Sequence, residues 1–218
     1  MKKTLIFDLD GTLLDSISDI ANSMNKVLKE LNLKTYTIED YKYFVGEGID
    51  ILVENVLDKN LENYHKIKDE VMQRFKLEYN GKLQANTIPY DGIYELLDNL
   101  KKLDCNLAVL SNKPHDFTVA YVEHFFKDYN FAEVHGQKNN LPKKPNPEAA
   151  KQIANRLGVP CKDIYFIGDT KIDMQTAKSA EMNAVGVLWG FRNEEELRKF
   201  GADFIVSHPL EIIKIIQK

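Results

Sequence analysis

Leu5-Ile6-Phe7-Asp8-Leu9-Asp10-Gly11-Thr12 carries an apolar run straight into two carboxylates and then a glycine. An unbroken apolar run of this kind is the pattern of a parallel strand buried on both faces, and Gly11 supplies the sharp exit from it. The acids fall at the strand's carboxyl end, the edge at which open parallel sheets bind their ligands. Residues two apart in an extended chain face the same side at about 6.5–7 Å spacing, so Asp8 and Asp10 address one small site. Two acids in a partly desolvated crevice repel unless a cation or a shared proton compensates. The stretch therefore predicts a metal site or acid/base chemistry. A calcium loop also opens Asp-x-Asp, but it needs Glu at its twelfth position, where this chain has Asp19.

The 218 residues suffice for one sizeable core, with or without a smaller appended domain. Lys and Arg total 29 against 33 Asp and Glu, for a net charge of −4, and no basic tract marks a nucleic-acid or anionic-membrane surface. No apolar run approaches the roughly 20 residues of a membrane span, and Met1-Lys2-Lys3 leads into no signal-peptide core. Cys105 and Cys161 lack zinc or Cys-x-x-Cys spacing, which suits a reducing compartment, and the five His form no ligand signature. The expectation is a cytoplasmic protein, monomer or homodimer, without nucleic-acid or membrane partners.

Past Thr12 the apolar period becomes helical: Ile17, Ile20, Ala21, Met24, Val27, Leu28 and Leu31, with Asp15 and Ser16 as candidate caps. Further helices are expected over 49–57 and 61–79, the last ending near Asn80-Gly81. Only helices are expected between the first strand and the next strand-like run at 105–111. From Pro89-Tyr90-Asp91-Gly92 onward strands and helices alternate, with strands at 105–111, 131–134, 163–168, 184–188 and 203–206. Such alternation predicts a doubly wound α/β parallel sheet with right-handed crossovers. Residues 1–14 and 84–218 would form this core, and 15–83 an inserted all-helical cap hinged near Asp15 and near 83–88.

Three more stretches deliver polar groups to the same edge. Leu107-Ala108-Val109-Leu110 runs into Ser111-Asn112-Lys113-Pro114, a hydroxyl and an amide that can donate to phosphoryl oxygens or cap the following helix. Lys143-Lys144-Pro145-Asn146-Pro147 holds a cation on stiffened backbone, or is a surface linker. Ile164-Tyr165-Phe166-Ile167-Gly168-Asp169-Thr170-Lys171-Ile172-Asp173 repeats the strand-into-acid pattern, with Asp169 and Asp173 four apart at a helix start. Four carboxylates at one sheet edge call for a hard divalent cation, and magnesium fits with six oxygen ligands.

Phe7-Asp8-Leu9-Asp10-Gly11-Thr12-Leu13-Leu14-Asp15-Ser16 resembles the first motif of the haloacid dehalogenase superfamily, specifically its phosphoglycolate-phosphatase-like phosphatases. The later motifs follow in the expected order. The resemblance implies a Mg2+-dependent phosphomonoester hydrolase of a small phosphorylated metabolite, with Asp8 as nucleophile and Asp10 as acid and base. It implies phosphate binding by Ser111, Asn112 and Lys144, and metal binding by Asp8, the Asp10 carbonyl, Asp169 and, through water, Asp173. Phe44-Val45-Gly46-Glu47-Gly48 is similar to the family's substrate loop, so Gly46, Glu47, Gly48 and Lys113 are candidate specificity residues. The second acid disfavours a dehalogenase, whose halide leaving group needs no proton. A sugar-phosphate mutase would need a cation within 44–57, where there is none, and a phosphonate hydrolase a buried cap lysine, for which Lys42 is the nearest candidate. Glu47 would oppose a carboxylate substrate if it pointed inward, which leaves pyrophosphate and other small esters open. An inactive binding module would have lost Asp8, Asp10, Lys144 or Asp169, and all are present.

Overall fold

The structure, a computed structural model, describes residues 2–80 and 86–217. Along the chain, β1 (Thr4–Phe7) and β2 (Leu14–Asp15) precede α1 (Ile17–Glu30), α2 (Ile38–Phe44), α3 (Ile49–Val56) and α4 (Tyr64–Asn80). After β3 (Ile88–Pro89) the alternation begins: α5 (Ile93–Lys102), β4 (Asn106–Pro114), α6 (His115–Phe126), β5 (Phe131–Gln137) and α7 (Glu148–Leu157). It continues through β6 (Ile164–Gly168), α8 (Lys171–Ser179), β7 (Asn183–Val187), α9 (Glu194–Lys199), β8 (Phe204–Val206) and α10 (Glu211–Ile216).

β1 is buried along its length because both faces of the sheet are covered. Leu5 and Phe7 pack into the core that includes α5 and α10, while Ile6 faces the smaller core under α7 and α8. Its neighbours are β4 and β6, both parallel, with Leu5 opposite Leu107 and Tyr165. The sheet order is β5-β4-β1-β6-β7-β8, all pairs parallel. The chain winds outward from β1 through β4 to β5 and then crosses to β6, so the winding reverses beside β1. A crevice opens at such a reversal, and the acids at the ends of β1 and β6 face it. The doubly wound sheet read from the alternation is the fold observed.

The helical insertion rests on amphipathic α1, which buries Ile17, Ile20, Ala21, Met24, Val27 and Leu28 against α2 and α4. The expectation of helices alone before the second long strand needs correcting, because β2 and β3 pair antiparallel, Leu14 with Pro89 and Asp15 with Ile88. The entering and leaving strands are thus joined, and buried Asp19 of α1 accepts bonds from Asn86 N (3.1 Å), Asn86 Nδ2 (2.8 Å) and Thr87 Oγ1 (2.7 Å). Helix α2 was not expected, although Thr37-Ile38-Glu39-Asp40 is a capping-box pattern and forms one. β4 and β5 each run three residues beyond their expected ends, so Ser111-Asn112-Lys113-Pro114 lies within β4 rather than after it. Its pairing with β5 shifts register between Leu110 and Pro114. Gly81, the 83/84 boundary and hinge residues 83–85 lie outside the described residues.

Candidate active site

Asp8 follows β1 directly, its N–H donating to the Ile167 carbonyl of β6 at 2.9 Å, so it continues the strand into the crevice. Its Oδ1 accepts the Leu9 N–H at 2.7 Å and lies 2.9 Å from Lys144 Nζ. Lys144 Nζ also lies 2.6 Å from Asp173 Oδ1, and the lysine is buried. Its neighbour Lys143 is turned away from these acids and pairs with Asp50 of α3 at 2.8 Å. Asp173 is the third residue of α8, where its Oδ2 accepts from Thr170 N (3.0 Å) and Oγ1 (2.7 Å) in a capping box. Both Asp173 oxygens therefore have partners.

Asp169 is buried and accepts from Thr12 Oγ1 (3.0 Å) and from Phe191 N (2.8 Å). Gly190 is what lets that loop approach, since a Cβ there would sit 2.3 Å from Asp169 Cβ and from the Gly11 carbonyl. One oxygen each of Asp8, Asp169 and Asp173 falls within 4.8 Å of the others. Three carboxylates are buried together and Lys144 contacts two of them, Asp8 and Asp173, so the cluster is short of positive charge. Burial, opposed by Lys144 and reinforced by Asp173, pushes Asp8 up to about 7. Burial and repulsion from Asp173 and Asp8 raise Asp169 well above the carboxylate range. Burial works against the charge on Lys144, but Asp173 and Asp8 outweigh it and hold the ammonium above the usual lysine range. Such a cluster of hard oxygen donors fits a divalent cation.

Asp10 has different company. Ser16 Oγ donates to its Oδ1 at 2.6 Å, and Lys113 Nζ lies 3.1 Å from both oxygens. The expectation of Ser16 as a helix cap needs correcting, because its side chain makes no cap bond and serves Asp10 instead. Lys113 is buried, donates to Tyr79 Oη of α4 at 2.7 Å, and stands over the Tyr79 and Tyr121 rings at 4.6 and 4.5 Å. Ser111 is buried and its Oγ accepts the Lys113 N–H at 3.3 Å. The Asn112 amide is committed between segments: Nδ2 donates to the Gly46 and Lys144 carbonyls, 3.0 Å each, and Oδ1 accepts the Lys144 N–H at 2.9 Å.

These groups surround a cavity of about 50 Å³, whose wall includes Asp8, Asp10, Ser111, Lys113, Val45 and Phe117. Gly46 and Gly48 line it too, and their φ of +122° and +91° are open to glycine at little cost. Glu47 lines no part of it; its carboxylate lies 3.8 Å from Lys171 Nζ. Sequence reasoning missed Ser16, Thr12, Tyr79, Trp189, Phe191 and Arg192. Trp189 Nε1 donates to the Thr12 carbonyl at 2.9 Å, and Phe191 and Arg192 flank the carboxylate cluster and the Gly46 loop.

Comparison with known proteins agrees with this geometry. The haloacid dehalogenase-like hydrolase family model matches residues 5–187. A phosphoglycolate phosphatase of Colwellia psychrerythraea is 31% identical over 206 residues, covering 92% of this chain and 90% of its own. One from Pseudomonas syringae pv. tomato is 32% identical over 217 residues, covering 98% of this chain and 79% of its own. A crystal structure from Lactobacillus delbrueckii subsp. bulgaricus, of provisionally assigned phosphoglycolate phosphatase activity, superposes with a TM-score of 0.90 at 32% identity, covering 99% of each chain. With the strand-end acids, the buried lysine and the sheet order all in place, the chain belongs to the haloacid dehalogenase-like hydrolases, among the phosphatases of that family.

Proposed function

We propose that the protein is a magnesium-dependent phosphomonoester hydrolase working through an aspartyl-phosphate on Asp8, with phosphoglycolate as the first candidate substrate. The observation that carries this reading is the pairing of two unlike acids at one strand end. Asp8 sits in the carboxylate cluster beside Lys144, and Asp10 sits outside it beside Ser16 and Lys113. In this reading Asp8 and Asp169, with the Asp10 carbonyl, would hold the cation, and Asp173 would reach it through water. When bound, magnesium supplies positive charge between the Asp8 carboxylate and the phosphoryl oxygens.

An Asp8 oxygen attacks phosphorus as the ester P–O bond breaks, and Asp10 hands a proton to the departing alkoxide. Asp10 then takes a proton from water, which attacks phosphorus and breaks the bond to Asp8, releasing phosphate. Ser111 and Lys144 hold the phosphoryl oxygens; the Asn112 amide keeps β4, the Lys144 segment and the Gly46 loop in register around them. Residues 15–83 act as the cap that closes on the leaving group. A cavity of about 50 Å³ suits a small one. Among the cavity's lining residues Lys113 is the cation available to a glycolate carboxylate, and Glu47, turned to Lys171, does not oppose it. The phosphoglycolate phosphatases of Colwellia and Pseudomonas support the same choice.

The test is phosphate release from phosphoglycolate, pyrophosphate and a panel of sugar and nucleotide monophosphates, with and without magnesium. Magnesium-dependent turnover that disappears in Asp8→Asn, with phosphoglycolate leading in kcat/KM, is expected. A different leading ester would replace the substrate, and turnover retained by Asp8→Asn would remove the covalent route.

A further inference from the structure

The Val45–Gly48 loop is carried by the helical insertion, yet the core holds it. Arg192, in the loop after β7, aims its guanidinium at the carboxyl end of α2. Its Nη1 donates to the Lys42 carbonyl, and its Nη2 lies 3.4 Å from the Tyr43 and Val45 carbonyls. The last carbonyls of a helix have no partner within it, and a cation there also suits the helix dipole. The guanidinium lies over the Tyr43 ring at 5.0 Å, and its Nε is 3.3 Å from Glu196 Oε1. The side chain is only 8% exposed, and its bonds to the Lys42 and Val45 carbonyls are partly shielded from solvent, the one to Tyr43 less so. Among the described residues the ion pairs between core and insertion, Lys143–Asp50 and Lys171–Glu47, are partly solvent-exposed and contribute little, while buried Lys113 also ties the core to α4 through Tyr79 Oη and buried Asp19 of α1 ties the insertion to Asn86 and Thr87.

We propose that Arg192 is a positioning residue that fixes the Val45–Gly48 loop over the reaction cavity, in concert with the Asn112 amide on Gly46. The proposal rests on the phosphatase reading of the site. Arg192 follows Phe191, whose N–H holds Asp169, so one short segment supports both the carboxylate cluster and the loop facing it. Val45, Gly46 and Gly48 line the cavity, so the loop sets the fit of the leaving group, while the phosphoryl group meets the core. The planar fork of arginine reaches three carbonyls at once; a lysine ammonium cannot reproduce that geometry.

The proposal is tested with Arg192→Gln and Arg192→Lys in the full chain, by amide hydrogen exchange and by steady-state kinetics. In Arg192→Gln the amides of 43–48 should exchange about tenfold faster while those of β1 and β6 hold their rates. KM for the best ester should rise about tenfold, with the competitive Ki of inorganic phosphate changed by less than about twofold. Arg192→Lys should fall between wild type and Arg192→Gln in both readouts. Unchanged exchange in the loop, exchange raised equally across the sheet, or KM and Ki rising together would each overturn it. If the wild-type protein releases phosphate from no ester, the phosphatase reading fails, and exchange alone decides whether Arg192 holds the loop.

Discussion

Asp10 receives Ser16 from six residues away and Lys113 from the far side of the insertion, and its neighbours are as distinctive as the acid itself. If it is the acid and base of both half-reactions, Asp10→Asn should lower kcat by about 10²–10⁴-fold while leaving metal binding by the other acids in place. Ser16→Ala, which only frees the carboxylate to turn, should cost about tenfold in kcat with KM little changed, read by steady-state kinetics. The acids of the cluster make a different prediction. In the metal-free protein Asp8 sits at about 7 against an ordinary 3.8, with burial the largest cause. Between those values the folded chain binds a proton that the unfolded chain has lost, so stability falls as pH rises through the window. Chelator-treated protein should therefore lose melting temperature from about pH 4.5 to about pH 7.5, and a divalent cation should abolish the slope by taking the proton's place. Burial raises the Glu133 carboxyl, but His135 and Arg156 outweigh it, so its effect lies at lower pH. A flat profile in chelator would contradict the assignment. At this scale the acids were legible because a strand ending in Asp is a local pattern. Ser16 was misread because its cap geometry is local, whereas its bond to Asp10 depends on the turn at Gly11.

Among the elements, the strands and amphipathic helices of the core were legible from their periodicities, and β1, β6 and β7 fall where their apolar runs placed them. Three elements escaped. Helix α2 buries chiefly Tyr41, so it shows little apolar period despite its capping box. β2 and β3, two residues each, have no pattern of their own and exist because the two chain crossings lie side by side. Asp19 secures that crossing from within α1, and its carboxylate accepts three bonds while buried. Asp19→Ala should destabilise the protein by about 2–4 kcal/mol, seen as a fall in melting temperature of about 5–15 °C. Asn86→Ala, which takes away part of the network, should cost less. An Asp19→Ala variant that melts with the wild type would show that the linker is held by β2 and β3 alone.

For the whole molecule, ligand and stability are linked, because the three carboxylates come together only in the folded chain. Magnesium at about 100 times its dissociation constant should stabilise the fold by about 2.7 kcal/mol, and the gain should be read in the melting temperature. Asp169→Asn should melt no lower than wild type without metal, since it relieves buried repulsion, and should gain nothing when metal is added. Sequence alone was enough for the doubly wound class, for the strand-end positions of Asp8, Asp10 and Asp169, for the helix-start position of Asp173, and for the helical character of the insertion. All of these follow from side-chain period and turn chemistry, which act over a few residues. It took the folded arrangement to place Lys144 rather than Lys143 against Asp8, Lys113 beside Asp10, and Arg192 at the end of α2. Those pairings join residues separated by about a hundred positions or more. They are set by which strands become neighbours in the sheet and by how the insertion folds back across its edge, and neither leaves a mark in any one window of sequence.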